Sequence, residues 1–212
     1  HKDNKPFVYT SAKAPEAEFA ARVVNSFMEK VMDLLKAEPV ANGALLRGFS
    51  CKPDIQPFTE KYAMKALAIA TYPMYRGIAK VLGMDVKDEP ADYDEAVSLL
   101  KKNYNDYQFF FFHVKETDLA GEDGNFEEKV QAIEAVDRFL PEITGLDPHA
   151  LVITGDHSTP CPLKGHSWHP VPALVVTKTG ETDGHAFHEK NCLVGSAGTI
   201  YSKDLMALAL AH

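Results

Sequence analysis

Eight residues, Tyr107-Gln-Phe-Phe-Phe-Phe-His-Val114, constrain this chain more than any other stretch. Four consecutive phenylalanines leave no polar face, so a strand here must be covered on both sides, a condition met by the parallel sheets of α/β proteins. Two further apolar runs, Leu151 to Gly155 and Pro172 to Val176, carry the same signature. Elsewhere the spacing is helical. After Pro15, the residues Phe19, Val23, Phe27, Val31 and Leu34 recur every three or four positions, Glu16 and Glu18 sit where the helix dipole favours acid, and the pattern stops near Ala37. Further helices are predicted over 59–70, from Pro73 to Leu82 with Gly83 as a left-handed cap, over 93–104, and over 126–140 with Val130, Ile133, Val136 and Phe139 inward. A last helix runs from Ser202 as its cap to Leu210, and Ala44-Leu45-Leu46 reads as a short strand. The alternation predicts an α/β fold with a mostly parallel sheet and helices on both faces. Residues 1–14 read as an extended lead-in segment and 15–212 as one domain.

Composition narrows the function classes. With 22 Lys and Arg against 30 Asp and Glu, the formal net charge of −8 argues against a nucleic-acid surface, which needs clustered positive charge. No run has the length or apolarity of a membrane span, and the start shows no signal-peptide pattern. The three cysteines, Cys51, Cys161 and Cys192, match no zinc or redox spacing, and a reducing, cytoplasmic setting is expected. The chain opens on His1 rather than Met and reads as a piece of a longer polypeptide.

Open parallel sheets place ligands beyond the carboxyl ends of their strands. Asp118 lies just past the strand ending at Val114, and Asp156-His157 lie just past the one ending near Gly155. His166, nine residues after His157, precedes the next apolar run and can fold back to the same crevice. Two carboxylates and two imidazoles form a hard-to-borderline donor set suited to Mn, Zn or Mg. Taken alone, an Asp-His pair after a strand is equally a turn whose aspartate caps the next segment.

The motif Gly155-Asp156-His157-Ser158-Thr159-Pro160, followed by His166 and Pro170-Val171-Pro172, closely resembles cofactor-independent phosphoglycerate mutases of the archaeal type, in the alkaline-phosphatase superfamily. The segments Asp118-Leu-Ala-Gly-Glu122-Asp-Gly-Asn125 and Lys65 to Gly77 agree with it. The resemblance spans almost the whole chain but corresponds only to the carboxyl-terminal half of the family's length. It implies an isomerase that interconverts 2- and 3-phosphoglycerate through a phosphoserine, with a small-molecule phosphoglycerate substrate and two divalent ions, Mn first and Mg or Zn as alternatives. By the same resemblance Asp156 and His157 would hold the ion that activates the nucleophile, and Asp118 and His166 the second. The family's third ligand to the second ion is a histidine four residues after the first aspartate; here Glu122 stands there, either a ligand that hardens the site or a solvated acid in a Gly-flanked loop.

Lys65 resembles the family lysine that contacts the transferring phosphoryl group, or else lies on the solvated face of the 59–70 helix. Arg47 is a weaker phosphate candidate, and His113, beside Lys115, either orients a metal-ligating carboxylate or simply ends its strand. Tyr75-Arg76, His185 and His188 read as structural or surface residues, and Ser158 and Ser167 as turn residues. The resemblance implies that the nucleophilic serine precedes His1, that the missing amino-terminal segment is the partner, and that the isolated chain is inactive. The alternatives are a related metal-dependent phosphatase, or a non-catalytic interaction module that kept the fold.

Overall fold

The structure, a computed structural model, describes residues 8–46, 48–51 and 53–211, so Arg47 lies outside the described residues. It divides between Asp54 and Ile55 into two compact units. In the first, a 3-10 turn at Pro15–Ala17 leads into α1, Glu18–Leu35. The segment before it runs alongside the helix, where the Thr10 amide donates to the Asn25 side chain and that side chain donates back to the Thr10 carbonyl, both at 2.9 Å. The helix forms as the spacing predicts, yet Phe19, Val23, Phe27 and Leu34 of its apolar stripe stand exposed. The strand expected at Ala44–Leu46 does not form; no described strand pairs with it.

The second unit opens with α2, Phe58–Tyr62, closed by Ala63 in the left-handed conformation (φ 54°). The helix predicted over 59–70 is thereby corrected, because Ala66–Ile69 is instead β1, a strand with every residue buried. Alanine favours helices intrinsically, but here small residues at alternate positions let neighbouring layers approach the sheet, and packing overrides propensity. There follow α3 (Pro73–Val81), β2 (Asp85–Val86), α4 (Tyr93–Asn103), β3 (Phe109–Phe112) and α5 (Glu116–Asp123). Next come α6 (Phe126–Asp137), α7 (Leu140–Thr144), β4 (Ala150–Thr154) and β5 (Ala173–Thr177). The short α8 (Glu189–Cys192), capped by the His188 ring, and α9 (Leu205–Leu210) complete the unit. Ser202 opens a 3-10 turn before α9 and caps nothing, which corrects its expected role.

Three strands form a parallel sheet in the order β2-β1-β3, with Ala66 opposite Phe109 and Ile69 opposite Phe112. Side chains of a strand alternate between faces, and β1 and β3 use both. Leu67 and Ile69 join Phe110, Phe112 and the Ala96 and Leu100 side chains of α4 in one core. On the opposite face Phe109 packs on Phe58 of α2 (4.6 Å between rings) and Phe111 on Tyr75 of α3 (6.4 Å). The architecture is the α/β class that the apolar strands predict, with a separate antiparallel pair β4–β5 covered by α9. On α6, Val130 and Val136 are half-buried, as is Phe139 beyond its end, but Ile133 is 53% exposed, because the inward face is centred on Ala132 and Val136. No helix among the described residues is long and apolar enough to cross a membrane.

Candidate metal centre

The chain leaves β3 at its carboxyl end and turns directly into α5, a helix where the sequence predicted a loop. In a helix, residues four apart share a face, so Asp118 and Glu122 project together. Asp118 also lies in the first turn, where the helix dipole favours a carboxylate. The second approach comes from the loop after β4. Ser158 and Ser167 form an isolated antiparallel bridge, and the Ser167 amide donates to the Ser158 carbonyl at 2.9 Å. That pin closes the loop and brings His166 back onto His157, with ring centroids 3.8 Å apart.

Five residues singled out in the sequence meet here. His166 Nε2 lies 3.5 Å from Asp118 Oδ1 and 3.4 Å from Glu122 Oε1. His157 Nδ1 lies 3.8 Å from Asp118 Oδ1, and its Nε2 lies 3.6 Å from Asp156 Oδ2. Ligand atoms of Asp118, His157 and His166 all fall within 4.8 Å of one another. Three carboxylates, two imidazoles and one ammonium, that of Lys115, make a corner short of positive charge. A hard or borderline cation would suit that donor set.

The surroundings hold Asp118 and Asp156 in their ionised form. Burial pushes the Asp118 carboxyl up, but hydrogen bonds donated by Lys115 Nζ and Thr159 Oγ1, with the Lys115 charge, outweigh it and hold the group below its ordinary value. The same hydrogen bond to Asp118 holds the Lys115 ammonium above its ordinary value against burial. Burial likewise pushes Asp156 up, and the Tyr75 hydroxyl, which donates to its Oδ2, leads the effects that bring it below its ordinary value. Tyr75 itself is raised, first by burial and then by this bond. His113 stacks on Tyr75 at 3.8 Å; burial lowers its pKa, and its buried Nδ1 has no hydrogen-bond partner.

Two expectations meet a different geometry. Lys65 precedes β1 at the opposite end of the sheet, 4.0 Å from Asp85 and over the Tyr107 ring, and is not brought to this cluster. Tyr75, read as structural or surface, contacts Asp156 directly. Lys115 becomes legible once α5 is seen as helical, three residues before Asp118. Thr159 offered only its place in the motif, and Tyr75 offered no local signal.

The chain has counterparts among known proteins. A family profile, described as the Metalloenzyme superfamily, matches residues 24–212. This chain belongs to that superfamily. Relatives named probable 2,3-bisphosphoglycerate-independent phosphoglycerate mutase are 50% identical in Thermotoga maritima and 45% identical in Thermus thermophilus, over 100% of this chain and 53% of each relative. The chain thus spans about half the length of these curated relatives. A Pyrococcus horikoshii protein of solved structure superposes with a TM-score of 0.80 at 29% identity, covering 93% of this chain and 58% of that one. The cofactor-independent phosphoglycerate mutase of Thermoplasma acidophilum shares the fold at a TM-score of 0.66 and 24% identity, over 100% and 56%. The alkaline-phosphatase-like α/β architecture implied by the motifs is the one these folds share with this chain.

Proposed function

We propose that this chain is the metal-binding portion of a cofactor-independent phosphoglycerate mutase, interconverting 2- and 3-phosphoglycerate. The observation that carries the reading is the convergence of Asp118, His157 and His166, from two strand ends, to within 4.8 Å. The names of the relatives supply the substrate class. Asp156 and His157 would hold one divalent ion and Asp118, His166 and Glu122 a second, with Mn expected first and Mg next because Glu122 adds a hard oxygen donor. Such ions neutralise phosphoryl charge and lower the pKa of a bound hydroxyl.

The chain's own residues then have definite tasks. Lys115 keeps Asp118 ionised and adds positive charge where an anionic substrate arrives. Tyr75 fixes the orientation of Asp156. The nucleophilic serine and the glycerate-holding segment belong, on this reading, to the part of the relatives this chain does not span. Lys65 has no role at this centre, being at the other end of β1. A cytoplasmic setting goes with the reading, and the three cysteines are all free thiols.

The test is an assay of phosphoglycerate interconversion with Mn present, using the chain alone and the chain joined to the remaining half of a relative. Turnover is expected only in the joined protein, and Asp118→Asn or Asp156→Asn should abolish it. Release of inorganic phosphate without interconversion would replace the mutase with a phosphatase. Robust turnover by the chain alone would refute the assignment of the nucleophile to the other half.

A further inference from the structure

Thr159 is 4% exposed, a buried polar side chain beside the cluster. Its carbonyl oxygen is held in place. Lys129 Nζ donates to its carbonyl at 2.7 Å, and a Cβ on Gly121 of α5 would lie 2.3 Å from that same oxygen. Its hydroxyl stands between two of the candidate ligands. Oγ1 donates to Asp118 Oδ1 and lies 3.1 Å from His157 Nδ1.

A hydroxyl has one proton to give, and an ionised carboxylate only accepts. The Thr159 proton therefore goes to Asp118, and a hydroxyl lone pair faces His157. A hydrogen bond between them then requires the proton on His157 Nδ1, which leaves the free lone pair on Nε2. That nitrogen is on the Asp156 side, 3.6 Å from Oδ2. The Thr159 oxygen meanwhile lies within hydrogen-bond reach of both Asp118 Oδ1 and His157 Nδ1, and a proton on Nδ1 leaves that nitrogen no lone pair for an ion shared with Asp118. The rings of His157 and His166 are inclined by only 31°. Imidazole lone pairs lie in the ring plane, and two planes inclined this little with centroids 3.8 Å apart do not meet within ligand distance of both rings.

We propose that Thr159 is a positioning residue that divides this cluster into two sites. Through its hydroxyl, His157 is held with the proton on Nδ1 and its Nε2 is paired with Asp156 for one divalent ion, while Asp118, His166 and Glu122 are left for the other. The proposal rests on the reading of the cluster as a metal centre. It goes beyond that reading in assigning the partition to a residue that binds no ion itself. Groups hydrogen-bonded to a ligating histidine fix its tautomer in this way, and losing them costs roughly 10–100-fold in metal affinity.

Two measurements on the chain test it. Long-range proton–nitrogen NMR of the metal-free protein, in mildly alkaline buffer, reports which nitrogen of His157 carries the proton. Titration with Mn, followed by electron paramagnetic resonance, reports the number and strength of sites. The wild type and Thr159→Ser should show the Nδ1–H form and two Mn equivalents. Thr159→Val should shift His157 toward the Nε2–H form and weaken one equivalent by roughly 10–100-fold while sparing the other. The serine variant guards against a purely steric effect, since it keeps the hydroxyl and loses the methyl. An Nε2–H signal in the wild type with two Mn bound overturns the partition alone, as does a valine variant unchanged in both measurements. An Nδ1–H signal with no Mn uptake overturns the metal reading, and the partition with it.

Discussion

The two ends of the parallel sheet use similar groups to different effect. At the amino end of β1 the Tyr107 hydroxyl donates to Asp85 at 2.8 Å, and Lys65 lies 4.3 Å from the centre of the Tyr107 ring and 4.0 Å from Asp85. One tyrosine, one lysine and one aspartate satisfy each other, and the charges balance. At the carboxyl end a tyrosine again donates to an aspartate and a lysine again pairs with one, through Tyr75–Asp156 and Lys115–Asp118. Here, however, two imidazoles and a further carboxylate remain, and His113 keeps an unpartnered buried nitrogen. A stabilising polar cluster ends with its partners matched, whereas a site built for a ligand carries a surplus of one kind of donor. The surplus lies beyond the carboxyl ends of the strands, where open α/β sheets bind ligands.

The largest test of the contrast is Gly121→Ala. The new Cβ would lie 2.3 Å from the Thr159 carbonyl oxygen, a backbone atom that cannot rotate away, so the loop bearing His157 must shift from α5. We expect a loss of about 3 kcal/mol in urea unfolding, accompanied by loss of Mn binding. Unchanged stability would mean that the loop is not seated on α5 as described.

At the other end, Tyr107→Phe should cost about 1 kcal/mol, the usual worth of a hydrogen bond, and leave Mn binding untouched. Its pH signature has a definite sign. Burial, and then the bond to Asp85, push the Tyr107 hydroxyl up to about 12. A pKa raised on folding gives stability that is complete below the unfolded tyrosine value of about 10 and is lost as pH rises through the folded value. Wild-type stability should therefore fall across that alkaline window more steeply than that of the phenylalanine variant. Parallel curves would remove the hydrogen bond from the account. The smallest effect belongs to Lys65→Met, about 0.5 kcal/mol from the lost cation–aromatic contact, with Mn affinity again unchanged. A fall in Mn affinity there would break the contrast between the two ends and return Lys65 to the centre.

Legibility followed the same division. Strand β3 was readable because four phenylalanines admit no wet face, and α3 because Pro73 and Gly83 mark its ends. Strand β1 was not, since Ala66 and Ala68 read locally as helix and become strand only by burial. Helix α5 was missed for the opposite reason: Glu116–Asp123 has hardly any apolar periodicity, and its form follows from seating Gly121 against the next loop. Within the centre, Asp118, Glu122, Asp156, His157 and His166 were visible because acids and histidines after strands are rare local signals. Tyr75 and Thr159 were not, because the carboxylates they bond, Asp156 and Asp118, lie 81 and 41 residues away.

The central claim is that the carboxyl-end surplus is a divalent metal centre, and anomalous X-ray scattering from crystals soaked in Mn tests it most directly. The account predicts anomalous density among Asp118, Glu122, Asp156, His157 and His166, and none beside Asp85 and Lys65. Fully occupied Mn elsewhere, with no density between those five residues, would contradict it.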